Sequence, residues 1–284
     1  MIASSTRVRR WAGTALTLAG GCALVIWFIW RRDPLSQDPQ FAARLACFVL
    51  IGSTSAAAAA QTRRLWVSVL AAGAVVASAG ALFNLRPNDD AYVFFRYAVN
   101  IVDGLGPVFN AGEWVEGYTS PLWLALLTGI ARISGPGALP GASVVSGGAL
   151  MCAALLGVGV LARQLGASWG ASTVVVVAAA WFPVGFWGLS GMGTGLSTAT
   201  SIWALAVAAP WIASPSRRRL RPATAGLLMA LALLARPENL LLGAALGACI
   251  ALLSLRERPS AFIWYGIPPA VLGGAHLVLS LIHI

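Results

Sequence analysis

The sequence contains no lysine. All 19 basic side chains are arginine, set against nine acidic ones, and charged residues make up only 10% of the 284 positions. Soluble domains carry about 25%, so this scarcity excludes an ordinary water-soluble globule. A soluble domain of this size also has no way to bury a chain that is 58% apolar. Histidine is nearly absent: His276 and His283 lie near the C-terminus with no carboxylate or cysteine close in sequence, and they argue for no metal site. The four cysteines, Cys22, Cys47, Cys152 and Cys249, each lie inside an apolar stretch and form no CxxC pair. They read as small buried hydrophobes rather than a disulfide framework or a zinc site. The net charge of +10 does not point to nucleic acid. The arginines stand at the edges of apolar segments, where the positive-inside rule puts them.

What is abundant is apolar sequence in long runs. Crossing the hydrocarbon core takes roughly 20 such residues in a helix. Candidate spans are 11–30, 41–60, 65–84, 119–134, 142–162, 171–189, 196–213, 223–255 and 261–284. The first follows Arg7, Arg9 and Arg10, is too long for a signal-peptide core and has no small-residue cleavage site after it, so it reads as a retained span. The stretch 223–255 is long enough for two segments, and Arg236-Pro237-Glu238-Asn239 breaks it. The expected fold is all-α: a polytopic transmembrane helical bundle with an interfacial helix in its first large outer loop. Residues 1–84 form its N-terminal membrane helices, 85–118 an extracytoplasmic loop, and 119–284 a helical membrane core. The chain stops inside an apolar run, Leu279 to Ile284, and is expected to be the front part of a longer protein.

Arginine also sets the expected orientation. Arg7 to Arg10, Arg63 and Arg64, Arg217 to Arg221, and Arg256 and Arg258 belong on the cytoplasmic side. That puts the loop 85–118, together with Ser190–Gly195 and Arg236–Glu238, outside. Arg163 conflicts with this count if 119–134 is a full span; either that short segment is re-entrant or interfacial, or one arginine is too weak a signal to set the side.

The outer loop carries five of the nine acidic residues: Asp89, Asp90, Asp103, Glu113 and Glu116. From Asp89 to Asp103 it reads as an amphipathic helix. Asp89, Arg96, Asn100 and Asp103 share one face; Phe94, Phe95, Ala98, Ile101 and Val102 occupy the other. Such a helix is expected to lie in the membrane interface, apolar side down. Gly104 suits its C-terminal cap, and Ser120-Pro121 suits an N-cap and first turn for the next helix. Asn88-Asp89-Asp90 has two readings. It serves as a helix N-terminus, where carboxylates meet the dipole, or as a reactive pair at the edge of the membrane. Adjacent helical residues point about 100° apart, so one of the two is expected to reach a substrate well.

The segments Asn-Asp-Asp-Ala-Tyr-Val-Phe-Phe-Arg-Tyr-Ala (88–98) and Gly-Pro-Val-Phe-Asn-Ala-Gly-Glu-Trp-Val-Glu-Gly-Tyr-Thr-Ser-Pro-Leu-Trp (106–123) resemble the first outer loop of a branch of the glycosyltransferase C superfamily, which includes the mycobacterial-type terminal arabinofuranosyltransferases. Trp187 to Thr194 is similar to that family's Ser-Gly-Leu/Met-Glu-Thr turn, and Leu234 to Asn239 to its Thr-Arg-Pro-Glu-Gly turn. The chain departs from the pattern at Gly193, where the family has glutamate.

The resemblance implies an inverting membrane glycosyltransferase of a bacterial cytoplasmic membrane, its active site facing outward. It would move an arabinofuranosyl or mannosyl group from a polyprenyl-phosphate donor to a cell-envelope glycan or protein acceptor. Asp89 would act as general base on the acceptor hydroxyl, with Asp90 as helper or substrate ligand. Arg96 and Arg236 would stabilise the departing lipid phosphate. Glu116, Tyr118 and Glu238 would complete the substrate site. Arg96 has the alternative of an ion pair with Asp89 or Asp103, Arg236 that of a helix-break cap, and Trp114 and Tyr118 that of interfacial anchors. No cofactor is expected, and a single-phosphate leaving group does not itself call for a metal. Two other readings stay open: a transporter or lipid flippase, and an inactive homologue.

Overall fold

The computed structural model describes residues 64–82, 86–179, 182–213, 220–257 and 260–282, with isolated positions between 44 and 55. The expected span 11–30 lies outside the described residues, and 41–60 is described only at isolated positions. The described residues form helices and no strand. In chain order these are α1 (Leu65–Leu82), α2 (Asp89–Val102), α3 (Pro121–Ser134), a 3-10 turn (Pro136–Ala138), α4 (Leu139–Gln164), α5 (Trp169–Ala179), α6 (Phe182–Gly188), α7 (Thr194–Ala213), α8 (Leu220–Ala235), α9 (Asn239–Glu257) and α10 (Ser260–Ile282).

Three stretches are long and apolar enough to cross a membrane: Pro136–Gln164, Thr194–Ala213 and Ser260–Val278. Of the other expected spans, 65–84, 119–134 and 223–255 hold shorter apolar helices among the described residues. The segment 223–255 divides into α8 and α9 at the expected break, and both are short apolar helices. The segment 171–189 holds α5 and α6 rather than one continuous helix. α3 has 14 residues, a rise of about 21 Å, against a hydrocarbon core of about 30 Å.

The path of α3 removes the conflict at Arg163. Trp123, near its start, donates its indole N–H to the carbonyl of Gly191. Leu139, just past its end, is buried in one apolar cluster with Trp123, Leu127 and Phe95. Ser143, near the start of α4, meets the same turn: its Oγ lies 3.1 Å from a Cβ built on Gly191, so α3 and α4 start at the same end of the bundle. α4 then runs away from that end: a Cβ on Gly195 of α7 would strike the carbonyl of Gly147, and one on Gly147 would strike the carbonyl of Gly188 at the end of α6. At its far terminus Arg163 stacks on Trp169, 4.4 Å from the ring centroid, and donates to the carbonyl of Ala167. At the same far end Ser68 of α1, one turn beyond Arg64, shares a hydroxyl hydrogen bond with Thr173 of α5 (2.9 Å). α8 packs on α7 and α10. It returns from Arg221 to Arg236, whose guanidinium reaches Thr194 at the start of α7. Arg64, Arg163 and Arg221 thus share one end of the bundle. The start of α2, the turn after α6 and the turn between α8 and α9 share the other.

Candidate functional site

α2 forms because Asn88 begins it and Gly104 ends it. The Asn88 side chain accepts the backbone N–H of Ala91 at 3.1 Å, which satisfies one of the free amides of the first turn. Gly104, at φ +81°, stops the helix in the left-handed conformation. With Asn88 capping, neither Asp89 nor Asp90 is needed for that task, and both are exposed.

The apolar side of α2 meets protein. Ala91, Phe94, Phe95 and Ala98 are buried in one cluster with Trp123, Leu124 and Leu127 of α3. The face that looks lipid-directed in sequence is therefore covered by the neighbouring helix. Asn100 also departs from its expected place among the exposed polar residues. It is 3% exposed and donates from Nδ2 to the carbonyls of Val108 (2.7 Å) and Phe109 (3.0 Å). The helix turns this amide inward because the following loop folds back and offers backbone carbonyls to it. Arg96 pairs with neither Asp89 nor Asp103; its Nε donates to the Phe109 carbonyl at 3.2 Å and its side chain remains exposed.

The stretch Ser190–Thr194 joins the polar elements. The N–H of Asn88 donates to the carbonyl of Ser190 at 2.9 Å. Gly191 sits at φ +76°, and a Cβ there would lie 2.9 Å from the Cβ of Pro87 and 3.0 Å from that of Ala91. Only glycine lets this turn lie against the start of α2. Two residues on, Gly193 faces α3: a Cβ would meet Ser120 Oγ and Trp123 Cβ, each at 3.0 Å. Ser120 stands at the expected N-cap position of α3, but its side chain makes no capping hydrogen bond. Its hydroxyl is buried without a hydrogen-bond partner, while Pro121 occupies the first helical position.

Thr194 carries the connection onward. Arg236 donates to its hydroxyl (3.4 Å) and to Glu238 Oε1 (2.9 Å). The bond from Arg236 holds the Glu238 carboxyl below its usual range. Asn239 fixes this turn from beneath. Its Nδ2 donates to Ser197 Oγ (2.8 Å) and to the carbonyl of Ala232 (2.9 Å), and its Oδ1 accepts from Ser201 (3.1 Å). The Ala232 carbonyl also accepts the backbone N–H of Arg236 at 2.8 Å. One side chain therefore ties α7, α8 and α9 together below the arginine.

The rest of the outer loop is held by Tyr97. Its phenol donates to the carbonyl of Val115 (2.7 Å) and accepts the N–H of Gly117 (2.9 Å). A Cβ on residue 117 would lie 2.7 Å from that oxygen, so a larger residue there would displace the phenol from its two bonds. Glu116, between the two pinned peptides, lies 3.8 Å from Nε2 of His276 on α10. Tyr118 stacks edge-on against Tyr97, 5.1 Å between centroids. Burial first, then the charge of Glu116, pushes its phenol above the ordinary value.

Of the residues singled out by sequence, Asp89 and Asp90 stand at the start of α2, bonded to the Ser190 turn through Asn88. Arg236 and Glu238 stand at the next turn along the same chain of contacts, and Arg96, Glu116 and Tyr118 line the loop that α2 carries. Three contributors escape sequence reasoning. Asn239 looks like the end of a turn motif, Tyr97 like one of several interfacial aromatics, and His276 has no partner until α10 folds back on the loop. Among the described residues no three His, Cys, Asp or Glu side chains assemble a metal site. The chemistry present is that of exposed carboxylates and guanidinium groups on a fixed backbone: proton acceptors, and ligands for an anion. No protein-family model, curated protein or solved structure matches the chain.

Proposed function

We propose that this chain is a membrane glycosyltransferase that uses a polyprenyl-phosphate sugar. The three polar turns around Asn88–Asp90, Ser190–Thr194 and Arg236–Glu238 would form its site on the outer side of a bacterial cytoplasmic membrane. The observation that carries the reading is their convergence at one end of the bundle, linked by Asn88–Ser190 and Thr194–Arg236, with Arg64, Arg163 and Arg221 at the other. Positive-inside orientation then puts the acidic end outside. There Asp89 deprotonates an acceptor hydroxyl, which is a poor nucleophile without a base. Asp90 holds the substrate, and Arg236 and Arg96 neutralise the phosphate that leaves with the lipid. Inversion follows from a single displacement, in which the acceptor oxygen bonds to the anomeric carbon as the phosphate oxygen departs. The sugar is arabinofuranosyl or mannosyl, and the acceptor a cell-envelope glycan or other glycan.

One observation favours a second reading, an inactive homologue. Position 193 holds glycine, and Ser120 and Trp123 close the space that a side chain there would enter.

The test is sugar transfer by membranes carrying the full reading frame, supplied with radiolabelled polyprenyl-phosphate arabinofuranose or mannose. Label passing from one of these donors to a glycan acceptor supports the proposal. Membranes that contain the protein and transfer from neither donor support the inactive homologue.

A further inference from the structure

We propose that Glu116, Tyr118 and His276 form a subsite for a neutral, hydroxyl-rich glycan chain, the acceptor in the reaction proposed above, on which this inference rests. The site is built on both sides. Tyr97 pins the carbonyl of Val115 and the N–H of Gly117 through one phenolic oxygen, so the peptides flanking Glu116 have a fixed course. α10 brings His276 from 160 residues further along the chain to face it. The Glu116 and His276 side chains are 22% and 35% exposed, sheltered yet open to a ligand.

The spacing selects the ligand. Oε1 and Nε2 are 3.8 Å apart, beyond a direct hydrogen bond and within the span of one hydroxyl oxygen about 2.8 Å from each. A sugar hydroxyl donates to the carboxylate and accepts from the imidazole N–H. The Tyr118 phenol, which burial and the neighbouring carboxylate keep protonated, adds a donor beside them. An anion is disfavoured by Glu116, and a divalent cation finds one carboxylate and one imidazole where no third ligand stands among the described residues. The subsite lies where the loop returns from α2 toward α3, some two helical turns along α2 from Asp89, at Tyr97. That leaves Asp89 for the reacting hydroxyl and this cluster for the sugar beyond it.

The experiment is direct binding of short arabinofuranosyl and mannosyl oligosaccharides to the full-length protein in lipid nanodiscs, followed by intrinsic fluorescence. His276→Ala and Glu116→Gln are each expected to weaken binding about tenfold, the scale of one lost hydrogen bond to a charged or sheltered group. His276→Gln, which keeps an N–H donor, is expected to recover part of it. Glu113→Gln, at an exposed carboxylate bonded to Asn110, leaves binding unchanged. In the transfer assay the same two weakening variants raise KM for the acceptor and leave KM for the lipid donor as it was. Wild-type affinity in both His276→Ala and Glu116→Gln overturns the subsite, as does a wild-type protein that binds neither oligosaccharide. Binding that depends on His276 in a protein that transfers no sugar keeps the subsite and removes the transferase reading, so the two can fail separately.

Discussion

The backbone N–H of Asn88 donates to the carbonyl of Ser190 across 102 positions of sequence, at 2.9 Å. The same asparagine caps α2 with its side chain. Through these two bonds the residue ahead of the acidic pair is fixed both to its own helix and to the turn that leads to Arg236. The pair is thereby presented to solvent on a backbone anchored at two points, the preorganisation that the proposed role of Asp89 requires.

Gly191→Ala tests that anchorage. The substitution forces a side chain into the left-handed conformation and against Pro87, Ala91 and Ser143 Oγ. Backbone strain and overpacking together are expected to cost about 2–4 kcal/mol. Thermal unfolding in detergent should show the loss. An unchanged midpoint would mean that the turn does not rest on the start of α2.

Tyr97→Phe tests the loop. It removes the one oxygen shared by the Val115 carbonyl and the Gly117 N–H, at an expected cost of about 1–3 kcal/mol. Amide exchange is expected to rise around residues 114–118, with α4 and α7 unaffected. Uniform exchange across the loop in both proteins would contradict the assignment.

The Arg236–Glu238 pair separates stability from function. Glu238 is 60% exposed in its side chain, so the pair contributes at most about 1 kcal/mol. The carboxyl is held low, so any contribution is present at neutral pH and lost as pH falls through its lowered value. Glu238→Gln should therefore leave the unfolding midpoint nearly unchanged at pH 7. Arg236→Gln removes a charge proposed to face the lipid phosphate, and about a tenfold or greater rise in KM for the donor is expected, the scale of one lost charge-assisted bond. Equal donor KM in wild type and Arg236→Gln would remove the arginine from the site.

Much of this end of the molecule is legible in sequence, because short-range chemistry writes it. A helix N-terminus at Asn88–Asp90, Gly104 as a stop and the break at Arg236–Glu238 each follow from local backbone preferences, although the cap falls to Asn88 and not to the carboxylates. The concentration of carboxylates in 85–118 marks the loop without any structure. What sequence leaves out depends on distant partners. The periodicity of α2 predicts an apolar face and does not say whether lipid or α3 covers it. Asn100 turns inward only because the carbonyls of Val108 and Phe109 come back to it, and Ser120 leaves α3 uncapped at the point where Gly193 packs on it. Apolar residues that line a helix–helix contact look the same in sequence as residues that face lipid.

Asp89→Asn provides the most direct test of the central claim, the role of Asp89 as base. The full reading frame is expressed as wild type and as the variant, and sugar transfer from a polyprenyl-phosphate donor is measured in isolated membranes at equal protein content. The account predicts normal membrane insertion and loss of transfer by at least about a hundredfold, the low end for removing a general base. Transfer at the wild-type rate in Asp89→Asn would contradict it.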